Sequence, residues 1–410
     1  MMTQKQKIEL LAPAGNFEKL EIAVHYGADA VYLAGKNFSL RNFSGNFSDQ
    51  ELRDAIIFAR ERGVKVYVAC NIYPRNEELE AISEYLAFLG EICPDAVIIA
   101  DPGILAQAVQ IIPEIPIHLS TQANTTNYRS VQFWENLGVR RINAARELSL
   151  REIKEIAEHS SVEIEAFVHG AMCISYSGRC LLSNFMAKRD SNRGMCCHPC
   201  RFHYTVMEEK RPGQYYPLME DGRGAYIFNS KDLCMIEYLP EMIAAGITSL
   251  KIEGRVKGIN YLASAVKTYR EALDAYCEHP QDYKAETYWL EELARINSRG
   301  YCSGFYFGDP EQTVPNYTES LYSPKDVFLG KVIAKAAGKG FCFEVRNKIF
   351  KGDAVEVMTR RGPVRKDSIR EIINEEGEFL SFANPNSCVI IILDSEEYSH
   401  NDLVRGKIKQ

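Results

Sequence analysis

Six of the chain's twelve cysteines fall between residues 173 and 234: Cys173, Cys180, Cys196, Cys197, Cys200 and Cys234, with His198 inside the tightest run. So many soft donors in one segment have three chemical uses: disulfide staples, a bound metal or iron–sulfur cluster, or a reactive thiol. Disulfides suit the chain least. Met1 to Lys7 lead into Ile8-Glu9-Leu10-Leu11 without a long apolar leader or small-residue cleavage site. No window offers the 18 or so uninterrupted apolar residues of a membrane span. The expectation is a cytoplasmic protein with no membrane contact, in a compartment where structural disulfides are rare. At 410 residues the chain also buries enough core without staples.

Metal binding or thiol chemistry remains. An iron–sulfur cluster takes thiolates, commonly four, from a segment able to wrap it. Zinc is the close rival, held by four cysteines or by three with His198. Six thiols for four positions leave two over. Cys197 and Cys200 are the weaker claimants, Cys200 being the better substitute. A Cys173 nucleophile beside His169 would instead make a peptidase, but the H-E-x-x-H and G-x-S-x-G motifs are missing. Cys70, Cys93, Cys277, Cys302, Cys342 and Cys388 are scattered and read as packing residues.

The elements that position these cysteines alternate. Apolar runs at residues 8–11, 30–33, 64–69, 96–100, 116–119, 140–143 and 163–168 are separated by amphipathic stretches, among them 16–26, 49–62, 76–89 and 149–159. Continuous apolar strands between helices predict a parallel sheet covered on both faces. An eighth strand fits residues 248–252 and a helix 261–278, which closes a (β/α)8 barrel of the TIM type. No dinucleotide glycine fingerprint follows the first strand, where the chain reads Leu11-Ala12-Pro13-Ala14-Gly15. The cysteines then lie in a long insertion of the β7–α7 region, residues 170–235, with hairpin strands expected at 204–207 and 226–228. Cys234 is expected at the start of a short helical stretch. The insertion emerges at the end of the barrel where βα loops build active sites.

Polar residues gather at the expected strand ends: Asn71, Asp101, Thr121, Gln122, Asn124, Arg146, Glu147, His169, Lys251, Glu253 and Arg255. Lys251 and Glu253 alternate onto one strand face. Such a ring suits an anionic or many-hydroxylated ligand. Composition is otherwise ordinary, with 46% hydrophobic and 25% charged residues, and the net charge of −7 argues against a general affinity for polyanions. From Lys325 to Arg370, however, twelve Lys or Arg face five Asp or Glu, a local net of +7. That excess suits a local phosphate-binding face. Two domains and a linker follow: a catalytic barrel at 1–310, a linker at 311–325, and a C-terminal β-barrel domain at 326–410, built of short strands with turn signals and expected to bind RNA.

At these residues the chain resembles a known family. Glu165-Ala166-Phe167-Val168-His169-Gly170-Ala171-Met172-Cys173, continuing to Ser177-Gly178-Arg179-Cys180, closely resembles the signature of peptidase family U32. Asn192 to Cys196, Asn229 to Cys234, Leu250 to Arg255 and the opening Leu11 to Gly15 look like its other motifs, and the resemblance spans essentially the whole chain. The family was named for collagenase-like proteolysis. Members of this length and layout are similar to prephenate-dependent tRNA hydroxylases, which make 5-hydroxyuridine at the wobble position without oxygen. The resemblance implies a 4Fe–4S cluster on Cys173, Cys180, Cys196 and Cys234, although Cys197 departs from the small residue usual there. It implies tRNA, through its anticodon loop, and prephenate as partners, and a second homologous member or a homo-oligomer. Arg146, Lys251 and Arg255 would pair carboxylates, Gln122 and Asn124 would bind substrate, and Glu253 or His169 would move protons. A collagenase-like peptidase and a non-catalytic zinc module are the alternatives.

Overall fold

The computed structural model describes residues 8–39, 45–172, 176–193, 195–197, 199, 232–296, 300–308, 326–336 and 338–407, together with four two-residue strands between 206 and 225. Cys173, His198 and Cys200 lie outside the described residues, as do the linker at 311–325 and Lys325.

Eight parallel strands form the first domain: β1 (Glu9–Pro13), β2 (Ala30–Leu33), β3 (Lys65–Cys70), β4 (Ala96–Ile99), β5 (Ile117–Leu119), β6 (Val139–Asn143), β7 (Glu163–Ala171) and β8 (Ile247–Ile252). Each pairs with the next, and β8 pairs with both β7 and β1, so the sheet closes on itself. This is the (β/α)8 barrel that the alternation of apolar runs predicts. Helices α1 (Phe17–His25), α2 (Asp49–Arg60), α3 (Leu79–Ile92), α4 (Pro102–Ile111), α5 (Tyr128–Asn136) and α6 (Leu150–Glu158) follow the first six strands. Their starts are written locally. Ser48 with Glu51 and Ser149 with Glu152 form reciprocal capping boxes, and Asn16, Asp101 and Asn127 accept from backbone amides of the first turn. A short helix, α7 (Leu182–Ala187), lies in the cysteine segment, and α8 (Leu239–Ala244), α9 (Ile259–Glu278) and α10 (Thr287–Arg295) complete the domain.

Strand alternation sorts the residues into two layers. Leu10, Val31, Val66, Val97, Ile142, Ile164 and Leu250 face outward and pack with the helices in one continuous core. The inward residues divide the barrel in half. β1 to β4 contribute Leu11, Ala30, Tyr32, Tyr67, Ala69, Ala96 and Ile98, a separate apolar cluster. The strands from β6 round to β1 contribute a buried charge network. The Arg141 guanidinium donates to Glu9 Oε1 at 2.6 Å and to Glu163 Oε2 at 2.6 Å, and lies 3.6 Å from Glu165 Oε2. Glu9 also accepts from Tyr67 at 2.6 Å and Ser249 at 2.8 Å, while Lys251 Nζ donates to Glu165 Oε1 at 2.6 Å.

Two further strands extend the barrel wall. Asp232–Cys234 runs antiparallel to β7, with Cys234 opposite His169, and Tyr301–Cys302 pairs beside it. Cys234 thus ends a strand rather than starting a helix, because the exposed edge of β7 offers it a ladder. Of the expected hairpin, Val206–Met207 pairs with Tyr215–Tyr216; residues 226–228 lie outside the described residues.

The second domain is a closed antiparallel barrel. Its strands are β9 (Asp326–Lys335), β10 (Phe341–Val345), β11 (Ile349–Phe350), β12 (Ala354–Met358), β13 (Arg365–Ile373), β14 (Phe379–Leu380), β15 (Phe382–Ala383), β16 (Cys388–Leu393) and β17 (Leu403–Lys407). The order β12-β17-β9-β10-β16-β13 is closed by pairing of β12 with β13. It docks on the first barrel's helices. Arg405 meets Glu292 of α10 through two 2.8 Å hydrogen bonds, the Tyr26 hydroxyl of α1 donates to the Met358 carbonyl at 2.9 Å, and Met358 and Leu403 join the first barrel's core.

Removing one member of a buried charge network leaves its partners uncompensated, at a cost of about 3–5 kcal/mol. Arg141→Met is therefore expected to lower the urea midpoint by that equivalent, followed by circular dichroism. The double variant Arg141→Met/Glu9→Gln is expected to recover part of the loss, since the two residues are in contact. An unchanged midpoint in the single variant would show that the network carries no charge.

Candidate active site

The carboxyl ends of the strands enclose two adjoining chambers. The inner one, about 60 Å³, is lined by Tyr32, Ala69, Asn71, Ile98, Ser120, Asn143, Phe167, Lys251 and Arg255, besides Thr121, Gln122, Arg146 and Glu253. Those last four residues also line the outer chamber, about 300 Å³. The outer walls come from the cysteine segment: Tyr176, Ser177, Gly178, Cys180, Asn192 and Cys196 all face it. The chamber built from barrel residues and the one built with cysteines therefore share the wall formed by Thr121, Gln122, Arg146 and Glu253.

Close backbone contacts set this junction. Gly178, at φ +73°, sits so near the Gln122 carbonyl that an added Cβ would come within 2.2 Å of its oxygen. Tyr73 donates its hydroxyl to the same carbonyl. Gly170, at φ +105°, leaves β7 where a Cβ would lie 2.6 Å from the Glu253 carbonyl and 2.8 Å from the Tyr261 hydroxyl. Only glycine combines that backbone angle with so little room. Glu147 fixes the loop from below, accepting from the Ser177 amide at 2.8 Å.

The cations of the site are held by different means. Lys251 is buried and bound to Glu165; burial pushes its ammonium below the ordinary lysine range, against the opposing pull of Glu165. Arg146 lies flat on Phe167, its guanidinium carbon 3.9 Å from the ring centre, and donates to the Ala171 carbonyl at 3.0 Å. Arg255 donates to Ser39 at 3.1 Å. Gln122, Arg146, Lys251, Glu253 and Arg255 thus meet in one place, as their strand-end positions predict.

Other strand-end residues do not join them. Asp101 caps α4, and Asn124, in a left-handed turn at φ 52°, lines a separate surface hollow with Arg129, Phe133 and Trp134. His169 lines neither chamber. A register shift between β7 and β8 pairs Lys251 with Phe167 but Ile252 with His169, so a bulge turns the ring outward. There it is fully enclosed by the rings of Tyr261, Tyr269 and Tyr301 at 5.3 to 5.8 Å. Both ring nitrogens lack hydrogen-bond partners among the described residues, and burial pulls the imidazole down to about 3. Sequence reading missed Asn143, Ser120 and Tyr32. Asn143 is buried with its Oδ1 unpaired among the described residues, while the residue lines the inner chamber. Its signal was a polar residue at inward parity, two places after Arg141, at the end of β6.

Of the expected cluster ligands, Cys180 and Cys196 line the outer chamber together. Cys234 lies beside β7, close to Tyr269, and burial pushes its thiol up to about 11. Cys197 instead meets Ser183, its Sγ 3.3 Å from Oγ. Among the described residues no three His, Cys, Asp or Glu side chains are gathered as a metal site. The observation that suits a thiolate-bound centre is the pair of soft donors, Cys180 and Cys196, lining the outer chamber, with a third on the strand paired to the end of β7.

Half of the basic run of the second domain is paired with carboxylates. Lys331 and Arg346 both bind Glu18 and Glu344, Lys351 binds Glu371, Arg361 binds Asp274, Arg365 binds Glu397 and Arg370 binds Asp394. Glu18 and Asp274 belong to the first barrel, so part of the sequence's local charge excess is consumed in docking.

Residues 15–316 match peptidase family U32, and residues 325–405 match the peptidase family U32 C-terminal domain. The chain belongs to peptidase family U32. Within and around the family, it is 40% identical over 404 residues to tRNA hydroxylation protein P1 of Bacillus subtilis (strain 168), covering 98% of this chain and 96% of that one. It is 38% identical to tRNA hydroxylation protein P of Escherichia coli (strain K12), covering 92% and 91%. The Collagenase of Porphyromonas gingivalis (strain ATCC BAA-308 / W83) is 31% identical, covering 85% of this U32 chain and 86% of that protein. No helix among the described residues is long and apolar enough to cross a membrane.

The enclosure of His169 has a pH signature. Its folded pKa of about 3 lies below the ordinary 6.5, so the unfolded chain binds the extra proton between those values. Its contribution to stability is complete above pH 6.5 and is lost as the pH falls through that window. His169→Gln is expected to flatten the fall of the urea midpoint over the upper part of this range. A slope equal to that of the unaltered protein would show that the imidazole titrates freely.

Proposed function

We propose that this protein is an enzyme that hydroxylates tRNA, making 5-hydroxyuridine at the wobble position by an oxygen-independent route that uses an iron–sulfur cluster and prephenate. The observation that carries the reading is end-to-end similarity to proteins named for tRNA hydroxylation, over 98% of the chain in one case. The adjoining chambers support it, because they set a cation-lined pocket beside a space lined by two cysteines.

Cys173, Cys180, Cys196 and Cys234 would hold a 4Fe–4S cluster, with Cys200 or Cys197 as the alternate for the third position. Such a cluster would supply one-electron redox chemistry at the wall of the outer chamber. The chain's own residues do the remaining work. Arg146, Lys251 and Arg255 bind the carboxylates of prephenate, Arg146 by its planar fork and Lys251 as a point charge. Asn143 and Gln122 supply amide hydrogen bonds to an uncharged edge. Glu253 lines both chambers and is placed to hold or pass a proton between the ligands. His169, neutral and walled off by tyrosines, supports the end of β7 and has no route to the substrate in this arrangement. A wobble uridine reaches the outer chamber by leaving its stack, which an anticodon loop permits at low cost. A second family member or a second copy of the chain would complete the RNA-binding surface.

The collagenase-like and zinc-module readings remain as outcomes of one experiment. Anaerobic reconstitution is expected to give about four irons and four sulfides per chain, with broad absorption near roughly 400 nm. Cys180→Ser or Cys196→Ser should abolish it. Zinc without iron would sink the redox mechanism, and gelatin cleavage by the pure protein would favour the peptidase. Mass analysis of tRNA nucleosides from a deletion strain should show loss of 5-hydroxyuridine.

The pocket makes its own prediction. Arg146→Met is expected to weaken prephenate binding by about 10- to 100-fold, the range of a lost charge-assisted hydrogen bond. Titration calorimetry reads it directly. Binding should also weaken as the pH rises through the lowered Lys251 pKa, since the pocket then loses a cation. Affinity that is flat with pH and unmoved by Arg146→Met would place prephenate elsewhere.

A further inference from the structure

With half of its basic run paired, the second domain needs another handle if it contacts RNA. Among its described residues two large hydrophobic side chains are exposed, Phe379 at 69% and Phe382 at 41%. Phe382 is not isolated. Its strand pairs it directly with Phe350, the two rings are 6.2 Å apart, and Lys348 Nζ lies 4.1 Å from the Phe382 ring centre and 5.1 Å from that of Phe350. Open apolar rings with a cation beside them are what a nucleic-acid base and its phosphate require: a π-face to stack on and a charge to neutralise.

The neighbouring groove has the same character. It measures about 620 Å³ and is lined by Lys348, Phe350, Lys366 and Lys407. Its carboxylates are already engaged. Asp326 and Glu356 bind Arg295, Asp353 accepts from the Phe350 amide at 2.9 Å, and Asp367 accepts from the Tyr398 hydroxyl at 2.6 Å. Lys348, Lys366 and Lys407 supply the lysine charge of its wall.

Its place in the molecule ties it to the pocket. Arg346, two residues before Lys348, binds Glu18 in the first turn of α1. The next residue, Lys19, donates to the Arg255 carbonyl at 3.0 Å, and Arg255 lines the inner chamber. Helix α1 begins at the carboxyl end of β1, so the turn carrying Lys348 sits on the pocket's end of the barrel. Lys257 lines the outer chamber, while Lys19 at the Arg255 carbonyl, Arg346 at Glu18 and Lys348 at the rings lead from the loop after β8 to the second domain.

We propose that Phe382, with Phe350 and Lys348, is a stacking platform that holds an unpaired base of the RNA while a distant nucleotide occupies the barrel. Lys348 exchanges its place over the ring for a phosphate when the base arrives. The platform rests on the tRNA reading above, and stacking makes it tolerant of base identity.

The test uses the full chain and a fluorescently labelled, unmodified tRNA transcript with a wobble uridine, read by anisotropy. Phe382→Ala is expected to raise Kd about tenfold, with Phe382→Tyr close to the unaltered protein. Lys348→Ala should weaken binding and lower the salt slope by about one. Unchanged thermal midpoints confirm that both variants fold. Tight binding by the unaltered protein and equal binding by both variants would overturn the platform while leaving the tRNA reading intact. No binding by the unaltered protein would overturn the tRNA reading, and the platform with it. Displacement of the tRNA by polyglutamate but not by oligouridine would reassign the surface to an acidic protein partner and overturn the RNA assignment.

Discussion

The buried contact between Arg141, Glu9, Glu165 and Lys251 governs the molecule. It bridges β1, β6, β7 and β8, the strands that close the barrel. Charges removed from water are tolerated only with partners at hydrogen-bond distance, so these four residues admit few other strand arrangements. The same contact also fixes Lys251 at the floor of the inner chamber and holds it where burial works against its charge. Register and pocket chemistry are thus one constraint. A barrel filled with aliphatic side chains would close as well, but it would leave no cation at this position.

Much of the fold was legible because its signals are local. Apolar runs of strand length, separated by capped amphipathic helices, point to a closed parallel barrel, and the ends of those strands point to Gln122, Arg146, Lys251, Glu253 and Arg255. What escaped has physical causes. Tyr32 lies inside β2 and Asn143 ends β6, and each becomes a pocket residue only when inward parity is known. His169 sits at a strand end, yet one bulge at the β7–β8 seam turns it to the other face. Cys234 was read as a helix start because its pairing partner, His169, is far away in sequence. The basic run from Lys325 to Arg370 looked free for the same reason: Glu18 and Asp274, which neutralise part of it, lie in the first barrel.

The two domains are joined by more than the linker. Arg405 with Glu292 and Tyr26 with the Met358 carbonyl are buried contacts of the kind found inside a single domain. Glu18 and Lys19 are neighbours on α1, and one holds the second domain while the other holds the loop after β8. The geometry between the second domain's surface and the pocket is therefore set by one helical turn rather than by a flexible tether. A ligand spanning both must match a fixed distance, which favours a large, folded partner over a short one.

The division of the barrel interior also matters for stereochemistry. Tyr32, Ala69 and Ile98 present a smooth hydrocarbon wall, and Asn143, Arg146, Lys251 and Glu253 face it with hydrogen-bonding groups. A flat ring entering between them would gain most with its heteroatom edge toward β6 to β8 and one face against the hydrocarbon wall. The two faces of such a ring then meet different surroundings, so any bond made to it would form from one side only. The face at which the ring is approached would follow from an asymmetry already present in how the eight strands share the work of filling their own centre, and it leaves no trace in 5-hydroxyuridine, whose base stays planar.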